Sequence, residues 1–160
     1  MMKSRLGTSA AGGLRAGFSL LELVAVLVII GVVAALSVAK IPNAVAQQKV
    51  AGAASGIQSD VETAFVLAGR NRVPIRLVWT ASSSTLKITN RTGTVTFRTT
   101  PIGSAYGLTS SQVTFSTSSL EIYPSGLAAD TLLATISVTR GSLTLSRRVH
   151  VSRSGMVRID

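Results

Sequence analysis

A nearly uninterrupted apolar segment close to the N-terminus limits what this chain can fold into. Residues 23–39 carry no charge, and the apolar residues that precede them from Phe18 onward are interrupted only by Glu22. About 20 consecutive apolar residues form a helix long enough to cross a bilayer. The sequence therefore predicts a transmembrane helix over residues 18–42.

The charges around this segment are strongly asymmetric. Lysine and arginine number 16 against 6 acidic residues, a formal net charge of +10. Three basic residues precede the apolar segment: Lys3, Arg5 and Arg15. Basic residues before a membrane helix predict a cytoplasmic N-terminus with the rest of the chain outside. From Phe18 onward 13 basic and 6 acidic residues remain, so 13 − 6 = +7, which favours nucleic acid, an acidic membrane or acidic neighbouring subunits as partners.

Two interpretations of the apolar segment remain open at this point. In the first it is a secretory signal peptide that is cut after Ala39, because Ser37-Val38-Ala39 has the small-x-small pattern of such sites. In the second it is a retained helix, since apolar residues continue at helical spacing beyond it. These residues are Val50, Ala54, Ile57, Val61, Phe65 and Ala68. The second interpretation predicts one helix from Phe18 to Ala68, apolar first and amphipathic afterwards to about residue 70.

The rest of the chain is predicted to be β-structure. Alternating apolar and polar residues indicate strands over 72–80, 85–90, 94–99, 113–117, 132–139, 142–152 and 156–159. Arg140-Gly141 between the two longest alternating segments suggests a tight hairpin, although arginine is not a preferred residue there. The predicted fold class is therefore α+β, with a long N-terminal helix packed on an antiparallel sheet.

No combination of residues suggests catalysis. The chain has no cysteine and a single histidine, His150, which alternation with Val149 and Val151 places on an outward face. The many serines and threonines have no predicted base partner, and no phosphate-binding glycine loop is present. We expect no enzymatic activity, no cofactor and no metal site.

The start of the apolar segment resembles a known signal. Gly17-Phe18-Ser19-Leu20-Leu21-Glu22, after basic Arg15, is similar to the class III signal of type IV pilins and type II secretion pseudopilins. The resemblance implies that a prepilin peptidase removes a leader of residues 1–17 between Gly17 and Phe18. It also implies that the new amino group of Phe18 is N-methylated and that the helix is kept as a membrane anchor.

The same resemblance gives Glu22 a role in assembly. In filaments of this family the glutamate of one subunit is thought to neutralise the terminal amine of a neighbour, here that of Phe18. A charge in hydrocarbon is tolerated mainly when it is paired. The alternative is a carboxylate that reaches the cytoplasmic interface, where the helix dipole also favours an anion.

The head, residues 43–160, resembles the GspH/FimT-type minor pilins and pseudopilins. The similar segments are 68–75, 113–115 followed by 124–127, and 149–158. This resemblance implies a minor pilin or pseudopilin in a type IV filament machine, either a type II secretion pseudopilus or a type IV pilus. It further implies a single pass through the inner membrane, and other pilins, the prepilin peptidase and the inner-membrane assembly machinery as partners.

A basic C-terminal region suggests a second function, the binding of double-stranded DNA. The candidate residues are Arg140, Arg147, Arg148, Arg153 and Arg158. Alternation predicts that several line one rim, with Arg147 at a sheet edge or turned outward by a bulge near Ser146. Such a rim suits phosphate contacts, and equally a solvated sheet or pairing with acidic neighbours.

FimT-like pilins include DNA receptors that carry a Gly-Arg-x-Arg signature near the C-terminus. This chain has Gly155-Met156-Val157-Arg158, in which the first arginine of the signature is missing. Arg153, just before the predicted turn, is the candidate to replace it.

Overall fold

The computed structural model describes residues 18–38 and 41–160, which fall into two compact units divided after residue 40. The first unit contains helix α1, Leu20–Val38. The second begins with helix α2, Ile41–Asn71. The single helix predicted from Phe18 to Ala68 is thus described as two helices, and the residues between them lie outside the described part. Among the described residues, no helix combines the length and apolar character needed to cross a membrane.

Helix α2 is amphipathic, as its apolar spacing predicts. Pro42 is tolerated in its first turn, where a backbone N–H would have no intrahelical partner. The helix continues past Gly69 and ends before Arg72, whose φ of 54° leaves the helical region. Its buried face consists of small and branched apolar residues: Ala46, Val50, Ala53, Ala54, Ile57, Val61, Ala64 and Ala68.

Eight strands follow α2 and form two antiparallel sheets. Their bounds are β1 Ile75–Thr80, β2 Thr85–Asn90, β3 Thr96–Thr100, β4 Val113–Phe115, β5 Ser119–Ile122, β6 Leu132–Arg140, β7 Leu143–Val151 and β8 Val157–Ile159. A short helix, α3, spans Ile102–Tyr106. The first sheet has the order β3-β2-β1-β5 and the second the order β4-β6-β7-β8.

All seven predicted strands are confirmed, and β5 is an additional one. β5 pairs with β1 and buries Leu120 and Ile122 beside it. The predicted hairpin between β6 and β7 is also confirmed, but its turn was misplaced by one residue. Arg140 still pairs with Leu143, so the two-residue loop is Gly141-Ser142, and the glycine takes a φ of 57°. A glycine at the first loop position suits a tight hairpin.

The core of the second unit lies where α2 packs on the sheets. Its buried apolar residues all fall between Ala46 and Val151, so this unit contains its own core and we expect residues 41–160 to fold alone. Trp79 of β1 stacks on Phe115 of β4, with ring centroids 4.4 Å apart, and thereby joins the two sheets. The predicted α+β fold, a long helix on antiparallel sheets, is confirmed.

Candidate functional sites

The first turn of α1 carries the residues of the predicted processing and assembly site. Phe18 is exposed, and Gly17 lies outside the described residues. The Ser19 hydroxyl accepts a hydrogen bond from the Glu22 backbone N–H at 3.2 Å, and the Ser19 carbonyl accepts one from the N–H of Leu23. Ser19 is therefore an N-cap, and Ser-x-x-Glu is the sequence signature of a capping box. That signature could have been found in the sequence, and it identifies Ser19 as the residue at which the helix begins.

Helix α1 exposes an apolar surface in every direction. Each residue from Phe18 to Ala34 is exposed, with Leu20 at 82% and Ile29 at 62%. Soluble monomers rarely expose apolar patches of more than a few hundred Å². The helix therefore needs an apolar partner, either lipid or other helices.

The five C-terminal arginines do not line one rim. Arg148 and Arg158 share the outer face of the second sheet, where Arg158 lies opposite His150. Arg140 ends β6 at the hairpin, whereas Arg153 follows β7 in a turn at the other end. At about 3.3 Å per residue, the nine residues of β7 separate these two ends by roughly 26 Å.

Arg147 lies on the face opposite to Arg148. It pairs with buried Ile136 of β6 in a regular register without a bulge, and β8 pairs with β7 only from Val149 to Val151, so Arg147 lies at a sheet edge, one of the two predicted alternatives. Its side chain stays exposed because it borders a cavity of about 130 Å³ with Gln47 and Val50 of α2. Alternation along β7 correctly predicted the face of the sheet on which Arg147 lies. The surroundings of its side chain are determined by α2 and not by a bulge.

Acidic residues partly neutralise two of the five arginines. Arg158 contacts Asp160 Oδ1 at 2.7 Å, and His150 Nε2 lies 3.6 Å from Asp160 Oδ2. Arg153 lies 3.2 Å from Asp130. The N–H of Thr131 and then Arg153 hold the pKa of Asp130 below its usual value. Within residues 18–38 and 41–160, no ion pair involves Arg148.

Asp60 is an acidic residue on the buried face of α2. Its side chain is 1% exposed, and Arg98 Nε of β3 lies 2.9 Å from its Oδ1. The contact is an ion pair without a well-directed hydrogen bond to either carboxylate oxygen. Burial raises the pKa of Asp60, while the Thr100 hydroxyl and Arg98 act in the opposite direction. Because Asp60 lies three residues after Ile57, helical spacing alone could have placed it on the buried face.

The candidate histidine is where alternation placed it. His150 is exposed on the outer face of the second sheet, beside Asp160. Across the described ranges, no group of three or more histidine, cysteine, aspartate or glutamate residues could hold a metal ion.

The N-terminal region matches a known protein family. The profile of the prokaryotic N-terminal methylation motif matches residues 14–38, which include Phe18 and Glu22. No curated protein matches the chain significantly.

The fold resembles that of a type IV minor pilin. Two crystal structures of FimU from Pseudomonas aeruginosa match with TM-scores of 0.55 and 0.52, each at 16% identity. They cover 71% and 68% of this chain and 90% of FimU. The methylation motif and the pilin-like fold together support membership of the type IV pilin and pseudopilin superfamily.

Proposed function

Because the chain combines the N-terminal methylation motif with a type IV pilin-like fold, we propose that it is a minor pilin or pseudopilin of the GspH/FimT type. Its function is to be assembled as a subunit into a type IV filament, in either a pilus or a type II secretion pseudopilus. The apolar surface that α1 exposes on all sides carries this proposal. Such a helix can be buried first in the inner membrane and later among the helices of other subunits.

The proposed maturation follows from the start of α1. A prepilin peptidase cuts between Gly17 and Phe18 on the cytoplasmic side, and the new amino group of Phe18 is methylated. The retained helix anchors the protein by a single pass, with the head outside. The assembly machinery of the inner membrane then moves the subunit into the filament.

Glu22 supplies the electrostatic step of assembly. In a single subunit its carboxylate lies in the first turn of α1, where the helix dipole favours a negative charge. In a filament it would pair with the Phe18 amine of the neighbouring subunit. Each charge alone would be unfavourable in an apolar surrounding, and pairing lets the two compensate each other. The pair would therefore favour the correct axial position between subunits.

Two measurements test this proposal. Mass spectrometry should show that the mature protein begins at N-methylated Phe18. A mature protein that begins at Lys40 would support the alternative of a secreted β-rich domain cut after Ala39. Glu22→Gln should then reduce the amount of the protein in sheared filaments. Ser19→Ala is the matched control, because it removes the helix cap and keeps the carboxylate. Normal incorporation of the Glu22→Gln variant would contradict the role of Glu22 in assembly.

Binding of double-stranded DNA is a second candidate function. The observation that favours it is the pair Arg148 and Arg158, which share an outer sheet face with Thr135, opposite Arg148. Binding of residues 41–160 to DNA should weaken with salt. Each lost phosphate contact should flatten the logarithmic salt dependence by about 0.9.

The DNA experiment compares variants of arginines that lie at different positions on the second sheet. Arg148→Ala with Arg158→Ala should flatten the salt dependence, and Arg153→Ala tests whether the arginine beside Asp130 also contributes. Lys87→Ala, on the exposed side of β2 in the other sheet, is the control. DNA binding that the Arg148 and Arg158 variants retain would leave these arginines as solvated or subunit-contacting residues.

A further inference from the structure

A surface cavity of about 420 Å³ lies within the second unit, beside the early turns of α2. Three elements form it: the α2 segment around Lys49, the loop after α3 with Thr109 and Gln112, and the end of the β6–β7 hairpin with Thr139 and Arg140. Neither the methylation motif nor the proposed filament role assigns any function to this cavity.

The cavity is lined by positive charge and hydrogen-bond donors. None of its lining residues is acidic. The Lys49 ammonium donates one hydrogen bond, to the Gly107 carbonyl at 3.1 Å, which leaves two of its three N–H groups for a ligand. Within the described ranges, no ion pair involves Arg140. The Gln112 carbonyl oxygen accepts from the Thr109 N–H, so the amide of Gln112 remains a donor.

A second basic residue borders the same end of α2. Arg147 shares the neighbouring smaller cavity with Gln47 and Val50. Lys49, Arg140 and Arg147 are thus gathered around the first turns of α2, and none of the five acidic residues of 41–160 borders either cavity. Cations that gather without acidic partners indicate an anion-binding surface.

The position of the cavity along the chain indicates where the anion comes from. Helix α2 begins three residues after α1 ends, and Lys49 lies eight residues further, a rise of about 12 Å. If α1 is the membrane anchor, as the proposed function requires, the early turns of α2 lie close to the lipid headgroups. We propose that this cavity binds the phosphate of an anionic phospholipid headgroup; the inference rests on the proposed function.

The chemistry of the lining fits a phosphate diester. Arginine presents a planar set of donors that matches phosphate oxygens, and lysine adds a compact charge. Ala46 and Val138 supply apolar surface beside these cations, which suits the glycerol part of a lipid. Bound headgroups would hold the head at the membrane before the subunit enters a filament.

The experiment uses residues 41–160, which contain their own core, and compares two sources of phosphate. Vesicles of phosphatidylglycerol, vesicles of phosphatidylcholine and inorganic phosphate are each titrated into the protein. Binding is followed by vesicle co-sedimentation and by the amide resonances of Thr109 and Gly141. The test variant is Lys49→Gln with Arg140→Gln. The matched control, Lys87→Gln with Arg70→Gln, removes the same charge from exposed positions that line neither cavity.

We expect binding to phosphatidylglycerol and not to phosphatidylcholine, with affinity reduced roughly tenfold in the test variant and much less in the control. Equal losses in both variants would overturn the site in favour of general charge attraction. Amide shifts with inorganic phosphate but no vesicle binding would overturn the lipid source and indicate a free phosphate. Binding to neither would overturn the proposal and leave an acidic side chain of a neighbouring subunit as the occupant.

The result of the lipid-binding experiment can be distinguished from the result of the experiments that test the proposed function. Processing at Phe18 and incorporation into filaments are measured on the full chain, whereas lipid binding is measured on residues 41–160. A mature protein that starts at Lys40 would refute the pilin proposal whatever the vesicles show. Normal processing without lipid binding would refute only the phosphate site.

Discussion

Arg98 Nε lies 2.9 Å from Asp60 Oδ1, and this ion pair joins the edge strand β3 to the buried face of α2. The two partners differ in environment, because the Asp60 side chain is 1% exposed and that of Arg98 51% exposed. Arg98 also lies 3.4 Å from the Thr100 hydroxyl, to which its Nε donates. The pair therefore links two elements that are far apart in the sequence, at the cost of one buried charge.

Removal of Arg98 should destabilise the head more than removal of a surface cation. Arg98→Gln leaves the Asp60 carboxylate buried without its cation. Exposed pairs contribute roughly 0–1 kcal/mol and loss of one partner of a buried pair costs ~3–5, so we expect a loss of about 2 kcal/mol for this half-exposed pair. Urea unfolding of residues 41–160 measures it. Adding Asp60→Asn to Arg98→Gln should restore most of the loss, and a double variant no more stable than Arg98→Gln would contradict the pair.

Asp60 should also make stability depend on pH in an unusual direction. Burial raises its pKa above 3.8, the value expected of the unfolded chain, so the folded state keeps the proton to a higher pH. As the pH rises from 3.8 through the raised pKa, the unfolded state binds fewer protons and the contribution of Asp60 to stability falls. Above that range the contribution is constant.

Asp60→Asn should therefore gain stability relative to the natural chain as the pH rises through this range. Unfolding free energies at a series of pH values, from below 3.8 to 7, measure the difference. Glu62→Gln is the matched control, because Glu62 lies on the same helix and is exposed. A difference that stays flat for Asp60→Asn would show that Arg98 and Thr100 fully offset the effect of burial.

The sequence predicted the repeating parts of the fold and missed what depends on distant partners. The stripe from Val50 to Ala68 and seven strands follow from local periodicity. Asp60 shares the phase of that stripe, but aspartate is rarely buried without a partner, and Arg98 lies 38 residues away. β5 is only four residues long within a serine-rich stretch, and its pairing with β1 depends on contacts across about 40 residues.

The candidate sites show the same limit. Alternation correctly separated Arg148 and Arg158 from the apolar face of their strands. The predicted strand over 142–152 already separated Arg140 from Arg153, because the two residues flank it at opposite ends. Alternation could not bring Lys49 beside Arg140, since the two are 91 residues apart and meet only through the packing of α2 on the hairpin.

Two glycines in α2 should respond to alanine in opposite ways. A Cβ on Gly56 would clash with the Tyr106 hydroxyl, whereas one on Gly69 would meet nothing within 4 Å. Alanine favours a helix interior over glycine by about 1 kcal/mol, so Gly69→Ala should stabilise the head by up to that amount. Gly56→Ala should lose this gain because Tyr106 must move.

The cause of that loss can be tested with a second substitution. Tyr106→Phe removes the hydroxyl nearest to the new methyl group, so Gly56→Ala should be less costly when combined with Tyr106→Phe than alone. Urea unfolding of the four chains gives the coupling between the two sites. Additive effects would show that the cost of Gly56→Ala does not come from Tyr106.

The hairpin between β6 and β7 should depend on Gly141 for its stability. Gly141 has a φ of 57°, which costs a residue with a Cβ roughly 1–2 kcal/mol. Gly141→Ala should therefore lower the free energy of unfolding by about 1 kcal/mol or more, while the urea dependence stays unchanged because the same core is exposed on unfolding. Ser142→Ala, at the second loop position, is the control and should change little.

Because Gly141 also lines the cavity beside Arg140, Gly141→Ala should weaken binding to phosphatidylglycerol vesicles even under conditions where the head remains fully folded. A stable Gly141→Ala variant with unchanged vesicle binding would show that this turn does not position Arg140.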